Sequence, residues 1–270
     1  MQVSLKEIRR LRKKTKPDGF FVDVILRGIS IYITKMLLYF PITPNMVTSA
    51  GICLTIAATI LFAYGNYLYS IIASFLLFFA YLCDCIDGEV ARCRKISSVN
   101  GSYYDDISFT LIEILPILGI TIGLHKKFQN DYIFYAGMIF LFSISFLRII
   151  AYLKFMILYK DVLIVQHTTK SSQKINTQAD SEFIQRKDIL FSFIKPIKAI
   201  VYSVYHLSGF ITGMIIFSLL DKIIWLFLFY AATYPVLLIL TLAYQLLGRF
   251  DRFIKTTSAE IYDAKAKEKK

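Results

Sequence analysis

The sequence predicts an all-α polytopic membrane protein, in which six transmembrane helices follow an amphipathic helix that lies in the membrane interface. Three observations support this fold class. Hydrophobic residues make up 56% of the 270 residues, compared with about 45–50% in soluble domains. They are concentrated in blocks of about 20 residues, the length that an α-helix needs to cross a bilayer. Basic residues cluster at the ends of these blocks, as is typical of cytoplasmic membrane loops.

Two segments are predicted before the first span. Residues 1–18 are rich in lysine and arginine and indicate a basic cytoplasmic arm. Residues 19–42 indicate the interfacial amphipathic helix, because their polar side chains are spaced by four, three and four residues and share one helical face. A narrow polar stripe on an apolar helix is typical of the membrane interface. Pro41 and Pro44 are expected to end this helix. The stripe consists of Asp23, Arg27, Ser30 and Thr34.

Residues 43–248 predict the six-helix membrane domain. Short polar turns separate most of the apolar blocks, but a polar stretch at residues 159–199 predicts a long cytoplasmic loop between the fourth and fifth spans. A polar and basic tail, residues 249–270, follows the last span. The predicted spans are residues 46–65, 68–92, 101–124, 132–158, 200–220 and 223–247.

The positions of the basic residues predict the orientation in the membrane. If residues 19–42 lie in the interface, then the arm, the loop at 92–95, the loop at 159–199 and the tail share one side. The other side carries only two short turns and residues 125–131. We therefore expect both termini to be cytoplasmic. A transmembrane course for residues 19–40 would place the arm and the tail on opposite sides, so the charge pattern favours the interfacial interpretation.

The composition also indicates which classes of binding partner to expect. A net charge of +12 would suggest nucleic acid in a soluble protein, but here the basic residues flank apolar blocks. We expect membrane lipid as a partner and no nucleic acid. The cysteines and histidines lack the spacing of a zinc site, and no disulfide framework is indicated. Gly209 and Gly213 have the spacing of a helix-packing motif, which leaves a homodimer open.

Carboxylates are concentrated where the second predicted span ends and the third begins. A carboxylate at membrane depth costs roughly 2.5–3.5 kcal/mol, so a cluster of them indicates a function. Oxygen ligands in this number suggest Mg²⁺ or Mn²⁺. Helix capping accounts for acidic residues at the start of the third span, but not for those near the end of the second, where the helix dipole disfavours anions. The carboxylates are Asp84, Asp87, Asp105 and Asp106.

Small residues accompany these carboxylates. Gly88 and Ala91 share a helical face with Asp84 and Asp87, because the four positions follow the pattern i, i+3, i+4, i+7. Gly101 stands at the start of the third span. These positions would let a ligand approach the backbone closely. Two antiparallel helices would then place carboxylates on both sides of a groove.

This segment resembles the CDP-alcohol phosphotransferase (CDP-alcohol phosphatidyltransferase) family. The family signature is D-x-x-D-G-x-x-A-R, eight residues, then G-x-x-x-D-x-x-x-D, and the upstream run from Thr43 to Thr48 resembles its T-P-N-x-x-T motif. The resemblance covers roughly residues 20–250 and implies six spans after an interfacial helix. The last aspartate of the signature is replaced by Phe109. The matching positions are Asp84, Asp87, Gly88, Ala91, Arg92, Gly101 and Asp105.

The resemblance implies metal-dependent transfer of a substituted phosphate from a CDP-alcohol donor to an acceptor hydroxyl, with release of CMP. Phospholipid or polyol-phosphate synthesis is the expected setting, with the active site on the cytoplasmic side. An anionic acceptor would need a cation at membrane depth, and Arg148 is the candidate. The implied catalytic metal ligands are Asp84, Asp87 and Asp105. The implied nucleotide-binding residues are Asn45, Thr48, Gly88, Ala91, Arg92 and Gly101.

Phe109 leaves alternatives open. In the family the residue at this position is a metal ligand and the expected general base, and a phenyl ring can serve as neither. Asp106 points about 100° away from Asp105, whereas Glu113 lies two turns beyond Asp105 on a similar face. One alternative is a catalytically impaired relative that binds a CDP-alcohol or lipid. Another is a membrane transporter or carrier, although a transporter would place its charges near the bilayer midplane.

Overall fold

The computed structural model describes residues 5–11, 26–96, 98–168 and 205–247, and every regular element within these ranges is a helix. Five of the helices are long and apolar enough to cross a membrane, namely α3, α4, α5, α6 and α8, whereas α7 is shorter. The protein is therefore an all-α polytopic membrane protein, which confirms the predicted fold class. The helices are α1 (Leu5–Leu11), α2 (Arg27–Leu37), α3 (Pro44–Ala63), α4 (Tyr67–Arg94), α5 (Val99–Phe128), α6 (Asp131–Thr168), α7 (Leu207–Leu219) and α8 (Ile223–Leu246).

Helix boundaries differ from the predicted spans mainly at α6. This helix continues to Thr168, so the polar stretch predicted as a loop from residue 159 begins as helix. The reason is that polarity marks where a chain leaves the bilayer, while helical hydrogen bonding can continue in water. Residues 169–204, which include most of that loop and the start of the fifth predicted span, lie outside the described residues, as does the tail from residue 249.

The chain divides into two compact units. The first comprises residues 1–138 and 195–229, and the second comprises residues 139–194 and 230–270. Within the second unit, an aromatic cluster joins α6 to α8. The ring of Phe140 lies 6.1 Å from that of Tyr230 and 4.9 Å from that of Tyr234, measured between centroids. All of the remaining contacts described below belong to the first unit.

Helices α3 and α5 touch through their backbones at the end of the bundle where α3 turns into α4. A β-carbon added to Gly119 would overlap the carbonyl of Thr59, and one added to Gly123 would overlap the carbonyl of Phe62. Gly65, in the turn itself, has a φ of 71° and contacts Gly123. A side chain at these positions would force the two helices apart, so glycine here determines how closely they cross.

Buried hydroxyl groups connect α4 to α7. The Ser74 hydroxyl lies 2.8 Å from that of Ser218 and 3.2 Å from the carbonyl oxygen of Met214. Both serines are about 1% exposed. Polar groups at membrane depth need such partners because no water is available to satisfy them. The contact fixes α7 against the first half of α4.

Helix α2 turns its polar side chains toward the protein. Ser30 and Thr34, two members of the predicted polar stripe, are 0% exposed, whereas the apolar residues Ile29, Tyr32 and Met36 are 40–60% exposed. The stripe is thus a docking face, and the apolar face points outward, where lipid would be its natural neighbour. With 11 residues, α2 has roughly half the length that a membrane span requires. Its position in the interface stays a prediction, and Asp23 of the stripe lies outside the described residues.

Part of the predicted basic arm is helical. In α1, Ile8 is buried against Ile31 of α2 and Cys93 of α4. Lys6, Arg9 and Arg10 lie on its exposed side. Leu5 of α1 packs against the same cluster, so a few apolar side chains dock this basic segment on α2 and α4.

Candidate active site

The start of α3 follows from the Thr-Pro-Asn sequence. Thr43 caps the helix by accepting a hydrogen bond from the backbone N–H of Met46 at 3.3 Å, and Pro44 occupies the first helical position, where a missing N–H costs nothing. This start places Asn45 and Thr48 in the first turns of α3. Both side chains therefore stand at one end of the helix bundle.

The same end of the bundle carries the connection between α4 and α5. Lys95 has a φ of 55° and ends α4, and the N–H of Ile96 reaches back to the carbonyl of Ala91 at 3.0 Å, as in a Schellman motif. Ser98 then caps α5 by accepting from the N–H of Gly101 at 2.9 Å. A short connection thus brings the end of α4 directly beside the start of α5.

A cavity of about 550 Å³ lies between the starts of α3 and α5 and the end of α4. It brings together all six residues that the family resemblance implies for nucleotide binding, and two of the three implied metal ligands. Residues more than fifty positions apart in the chain thereby form one polar cleft. Those residues are Asn45, Thr48, Gly88, Ala91, Arg92 and Gly101, with Asp87 and Asp105.

Other cavity residues were not predicted. Most of them are polar, and Lys95 adds a second cation beside Arg92. Their signal in the sequence is that each lies within four positions of a predicted site residue and near a helix end. They are Thr43, Pro44, Lys95, Ile96, Ser98 and Ser102.

Asp87 is fixed to α3. It is only 4% exposed, and its Oδ2 accepts a hydrogen bond from the Thr48 hydroxyl at 2.6 Å. A second α3 hydroxyl, that of Ser49, lies 3.0 Å from the hydroxyl of Tyr104 on α5. These two bonds connect α3 to both carboxylate-bearing helices, and they set the position of the Asp87 carboxylate relative to the cavity.

Asp84 does not line the cavity, although it belongs to the same helical face as Asp87. It lies one turn deeper. Its carboxyl group on α4 is close enough to that of Asp105 on α5 for the two to interact electrostatically and by hydrogen bonding. Asp105 also neighbours Asp106 in the chain and interacts with Arg92. The three implied metal ligands therefore form one electrostatic cluster, of which two members face the cavity.

A hard divalent cation fits the chemistry of these donors, because they are all carboxylate oxygens. As placed, no group of three or more His, Cys, Asp or Glu side chains among the described residues stands close enough to enclose a metal ion. The fit is therefore one of donor type. A cation would also offset the repulsion between Asp84, Asp87 and Asp105.

At the glycines of the site, the atoms nearest to an added β-carbon belong to side chains. A β-carbon on Gly88 would meet the guanidinium nitrogens of Arg92 at 3.2 and 3.4 Å, so the arginine lies directly over this glycine. A β-carbon on Gly101 would meet the hydroxyl of Ser98 at 3.0 Å and the amide oxygen of Asn45 at 3.8 Å. A ligand in the cavity would therefore lie close to the helix backbones and be bordered by polar side chains.

The residues that the sequence analysis considered for proton transfer lie along α5. Phe109 is half-buried one turn beyond Asp105, and Glu113 is half-buried one turn further, while Asp106 is exposed. Arg148 lies on α6 in the second unit, and its assignment to the acceptor stays a prediction.

Glu89 is a residue that the sequence analysis missed. It is 4% exposed, and its two carboxylate oxygens accept hydrogen bonds from Ser30 and Thr34 of α2, each at 2.8 Å. Two signals could have indicated it. Glu89 directly follows Gly88 of the signature, and the two hydroxyl residues are spaced i, i+4, so they can address a single partner.

The fold and the cavity define a class: a helical polytopic membrane protein with a carboxylate-bordered polar cavity at one end of its bundle. The family model of CDP-alcohol phosphatidyltransferase matches residues 41–212. This match covers more than half of the chain, and the protein belongs to that family of transferases. A search of curated proteins finds no match. The matched region begins after α2 and ends within α7.

Proposed function

We propose that the protein is a metal-dependent CDP-alcohol phosphotransferase. It would transfer a substituted phosphate from a CDP-alcohol to an acceptor hydroxyl and release CMP, in phospholipid or polyol-phosphate synthesis. One observation carries the proposal: in a member of this transferase family, the positions that the family resemblance implies for nucleotide binding and two motif carboxylates line one polar cavity.

The cavity suits the nucleotide part of the donor. Its volume of about 550 Å³ lies in the range of roughly 300–1,000 Å³ found for small-molecule sites. Gly88 and Gly101 would admit the diphosphate close to the helix backbones. Arg92 and Lys95 would balance its charge, and the Asn45 amide would hydrogen-bond to the cytidine or phosphate oxygens.

Asp84, Asp87 and Asp105 would hold Mg²⁺ or Mn²⁺, which supplies electrostatic stabilisation of the diphosphate and of the leaving CMP. The protein's own contribution is to hold these carboxylates in place. Thr48 does so for Asp87 through the 2.6 Å hydrogen bond to its Oδ2. With the charge pattern of the loops, the site would face the cytoplasm.

The acceptor hydroxyl must lose a proton during transfer. Since Phe109 cannot take it, Asp106 and Glu113 are the candidate bases on α5. The phenyl ring also favours a second function, in which the protein binds a CDP-alcohol or a lipid without turnover. The two functions share the cavity and differ only in whether a base reaches the acceptor.

The decisive experiment measures CMP release by the purified protein with a panel of CDP-alcohols, mixed acceptors and Mg²⁺ or Mn²⁺. Phe109→Asp, which restores the family residue, is run in parallel. Asp84→Asn serves as the matched loss of a motif charge. Equilibrium binding of the same donors, with and without the metal, accompanies the assay.

Each outcome assigns a role. CMP release by the wild-type protein supports the enzyme, and Asp106→Asn and Glu113→Gln then identify the base. Release only by Phe109→Asp supports the non-catalytic binder. If no donor binds in a metal-dependent way, or if Asp84→Asn leaves metal and donor binding unchanged, the assignment of the site is refuted.

A further inference from the structure

Glu89 places a buried carboxylate outside the cavity. It is 4% exposed and does not line the cleft. On α4 it follows Gly88 by one residue and Asp87 by two. Its side chain therefore points about 100° away from the direction of position 88 and about 200° away from the side chain of Asp87. A carboxylate in a buried position is costly unless hydrogen bonds satisfy it. The structure thus places such a group behind the part of α4 that borders the cavity.

Both partners of this carboxylate come from α2. The Ser30 hydroxyl lies 2.8 Å from Oε1 and the Thr34 hydroxyl lies 2.8 Å from Oε2, and both residues are 0% exposed. With one hydroxyl on each oxygen, the plane and direction of the carboxylate are both fixed relative to α2.

Helix α4 is therefore held on two sides at the same height. On one side Asp87 accepts from Thr48 of α3 at 2.6 Å, and on the other Glu89 accepts from α2. A rotation of α4 about its axis would lengthen one set of bonds. Gly88 lies between the two anchored residues and forms part of the cavity wall. The angular position of this wall is thus determined jointly by α3 and α2.

Simple attachment of α2 would not require a buried carboxyl group. Ile31 of α2 already packs with Ile8 of α1 and Cys93 of α4 in an apolar cluster. Apolar contacts of this kind attach a helix but tolerate small rotations and slips. Paired hydrogen bonds to a fixed carboxylate do not, because they weaken steeply with distance and angle.

We propose that Glu89 is a positioning residue, which fastens α2 to α4 and thereby holds Asp87 and Gly88 in the orientation that phosphate transfer requires. The role in transfer rests on the proposed function, whereas the fastening of α2 does not. The region matched by the family model begins at residue 41, so the two hydroxyl partners lie outside it. The amphipathic helix thus becomes a part of the active-site scaffold.

Four variants test this proposal. Glu89→Leu removes both hydrogen bonds, and Thr34→Val removes one with little change in volume, so it serves if the first variant does not fold. Glu89→Gln keeps one acceptor oxygen and replaces the other by an amide N–H donor, for which either hydroxyl can act as the acceptor, so it preserves both contacts with an amide in place of the carboxyl group. Ser74→Ala is the matched control, because it removes a buried hydroxyl contact of α4 that lies far from α2.

Two readouts are combined. One is the steady-state rate of CMP release, separated into kcat and KM for the donor, on protein that is monodisperse and folded. The other is the rate at which a water-soluble maleimide labels Cys93, followed by peptide mass spectrometry. Cys93 is 3% exposed and packs against Ile31, so its labelling reports whether α2 is in place without reference to activity.

We expect kcat to fall about 10- to 100-fold in Glu89→Leu, because small misplacements of reacting groups have effects of that size. Thr34→Val should show a smaller fall in kcat. The donor KM should change little in both variants, and labelling of Cys93 should accelerate in both. Glu89→Gln and Ser74→Ala should stay close to wild type in both readouts.

The outcomes separate the two claims. A folded Glu89→Leu or Thr34→Val protein with the wild-type kcat would overturn the positioning role. Unchanged labelling of Cys93 in both variants would overturn the fastening of α2. If the wild-type protein releases no CMP with any donor, the proposed function and the positioning role fail together, and the labelling rates still decide whether Glu89 fastens α2.

Discussion

The two ends of the α3–α5 helix pair use small residues in opposite ways. At the end where α3 turns into α4, Gly119 and Gly123 bring the two backbones into contact, and a β-carbon there would overlap main-chain atoms. At the other end, a β-carbon on Gly101 would meet only the side chains of Ser98 and Asn45. There the helices border a cavity of about 550 Å³.

This difference separates packing from function within one pair of helices. A glycine that touches backbone cannot be replaced without moving a helix, because the backbone has no rotamer to change. A glycine that touches the tip of a side chain leaves room that the side chain can yield. We call the end with Gly119 and Gly123 the closed end and the end with Gly88 and Gly101 the open end. Packing at the closed end contributes to the stability of the bundle, whereas side chains at the open end can exchange their contacts for contacts with a ligand.

The largest effect is expected at the open end, from Asp87→Asn. The variant keeps an oxygen for the Thr48 hydroxyl but removes the charge, and charge stabilisation by a metal site contributes several kcal/mol. CMP release should fall by about 10²-fold or more, with no loss of folded protein. Asp131→Asn is the control, because Asp131 is an exposed acid at the start of α6 and does not line the cavity. Similar losses in both variants would contradict a specific role for Asp87.

Gly123→Ala should give the next largest effect, at the closed end. Its β-carbon would overlap the Phe62 carbonyl and lie 3.0 Å from the backbone nitrogen of Gly65, so α3 and α5 must separate. Overpacking of this kind costs about 1–3 kcal/mol, which thermal unfolding in detergent would detect as a lower Tm. Gly28→Ala is the control: nothing lies within 4 Å of its β-carbon, and alanine in a helix is favoured by roughly 0.5–1 kcal/mol. An unchanged Tm for Gly123→Ala would refute the account of the closed end.

Gly88→Ala tests the opposite behaviour at the open end. The three atoms nearest to its β-carbon would all belong to the guanidinium of Arg92, two of them at 3.2 and 3.4 Å, and this side chain can move. We expect an unchanged Tm and an increase in donor KM of about tenfold, which corresponds to roughly 1.4 kcal/mol of binding free energy. A fall in Tm as large as that of Gly123→Ala would mean that the two ends do not differ in the way described.

The smallest effect is expected from the ion pair near the closed end. Lys127 Nζ lies 3.1 Å from an Asp221 carboxylate oxygen, and the two side chains are 37% and 53% exposed. Lys127→Ala should therefore cost only about 0.2–1 kcal/mol and should lose its effect at high salt. Asp221→Asn should match it, because asparagine tolerates the φ of 52° at this position. A larger, salt-independent loss would show that Lys127 contributes through packing instead.

Much of the site could be predicted from the sequence because its parts are local. The spacing of Asp84, Asp87 and Gly88 places them on one face of any helix, whatever surrounds it. The first span was predicted from residue 46, and the structure starts α3 two residues earlier, at Pro44, after the Thr43 cap. Most of the cavity wall follows once these two helix ends are brought together by the fold.

The depth of a carboxylate along its helix, and the residue with which it interacts, could not be predicted in the same way. Asp84 shares the face of Asp87, yet it lies below the cavity and interacts with Asp105. One turn of helix, about 5.4 Å, separates a residue that borders the cleft from one that does not. Periodicity describes direction around an axis and contains no information on how far a neighbouring helix extends.

The sequence alone determined that the chain spans a membrane as helices and which carboxylates share a face, since both depend on length and on a period of 3.6 residues. Only the tertiary structure decided that the polar stripe of α2 meets Glu89 and that its apolar face points outward. The physical reason is that lipid and protein interior are both apolar, so hydrophobicity does not distinguish the outside of a membrane protein from its core. The distinction came from Ser30 and Thr34, whose hydroxyls needed a partner that lies 55 or more residues away in the chain.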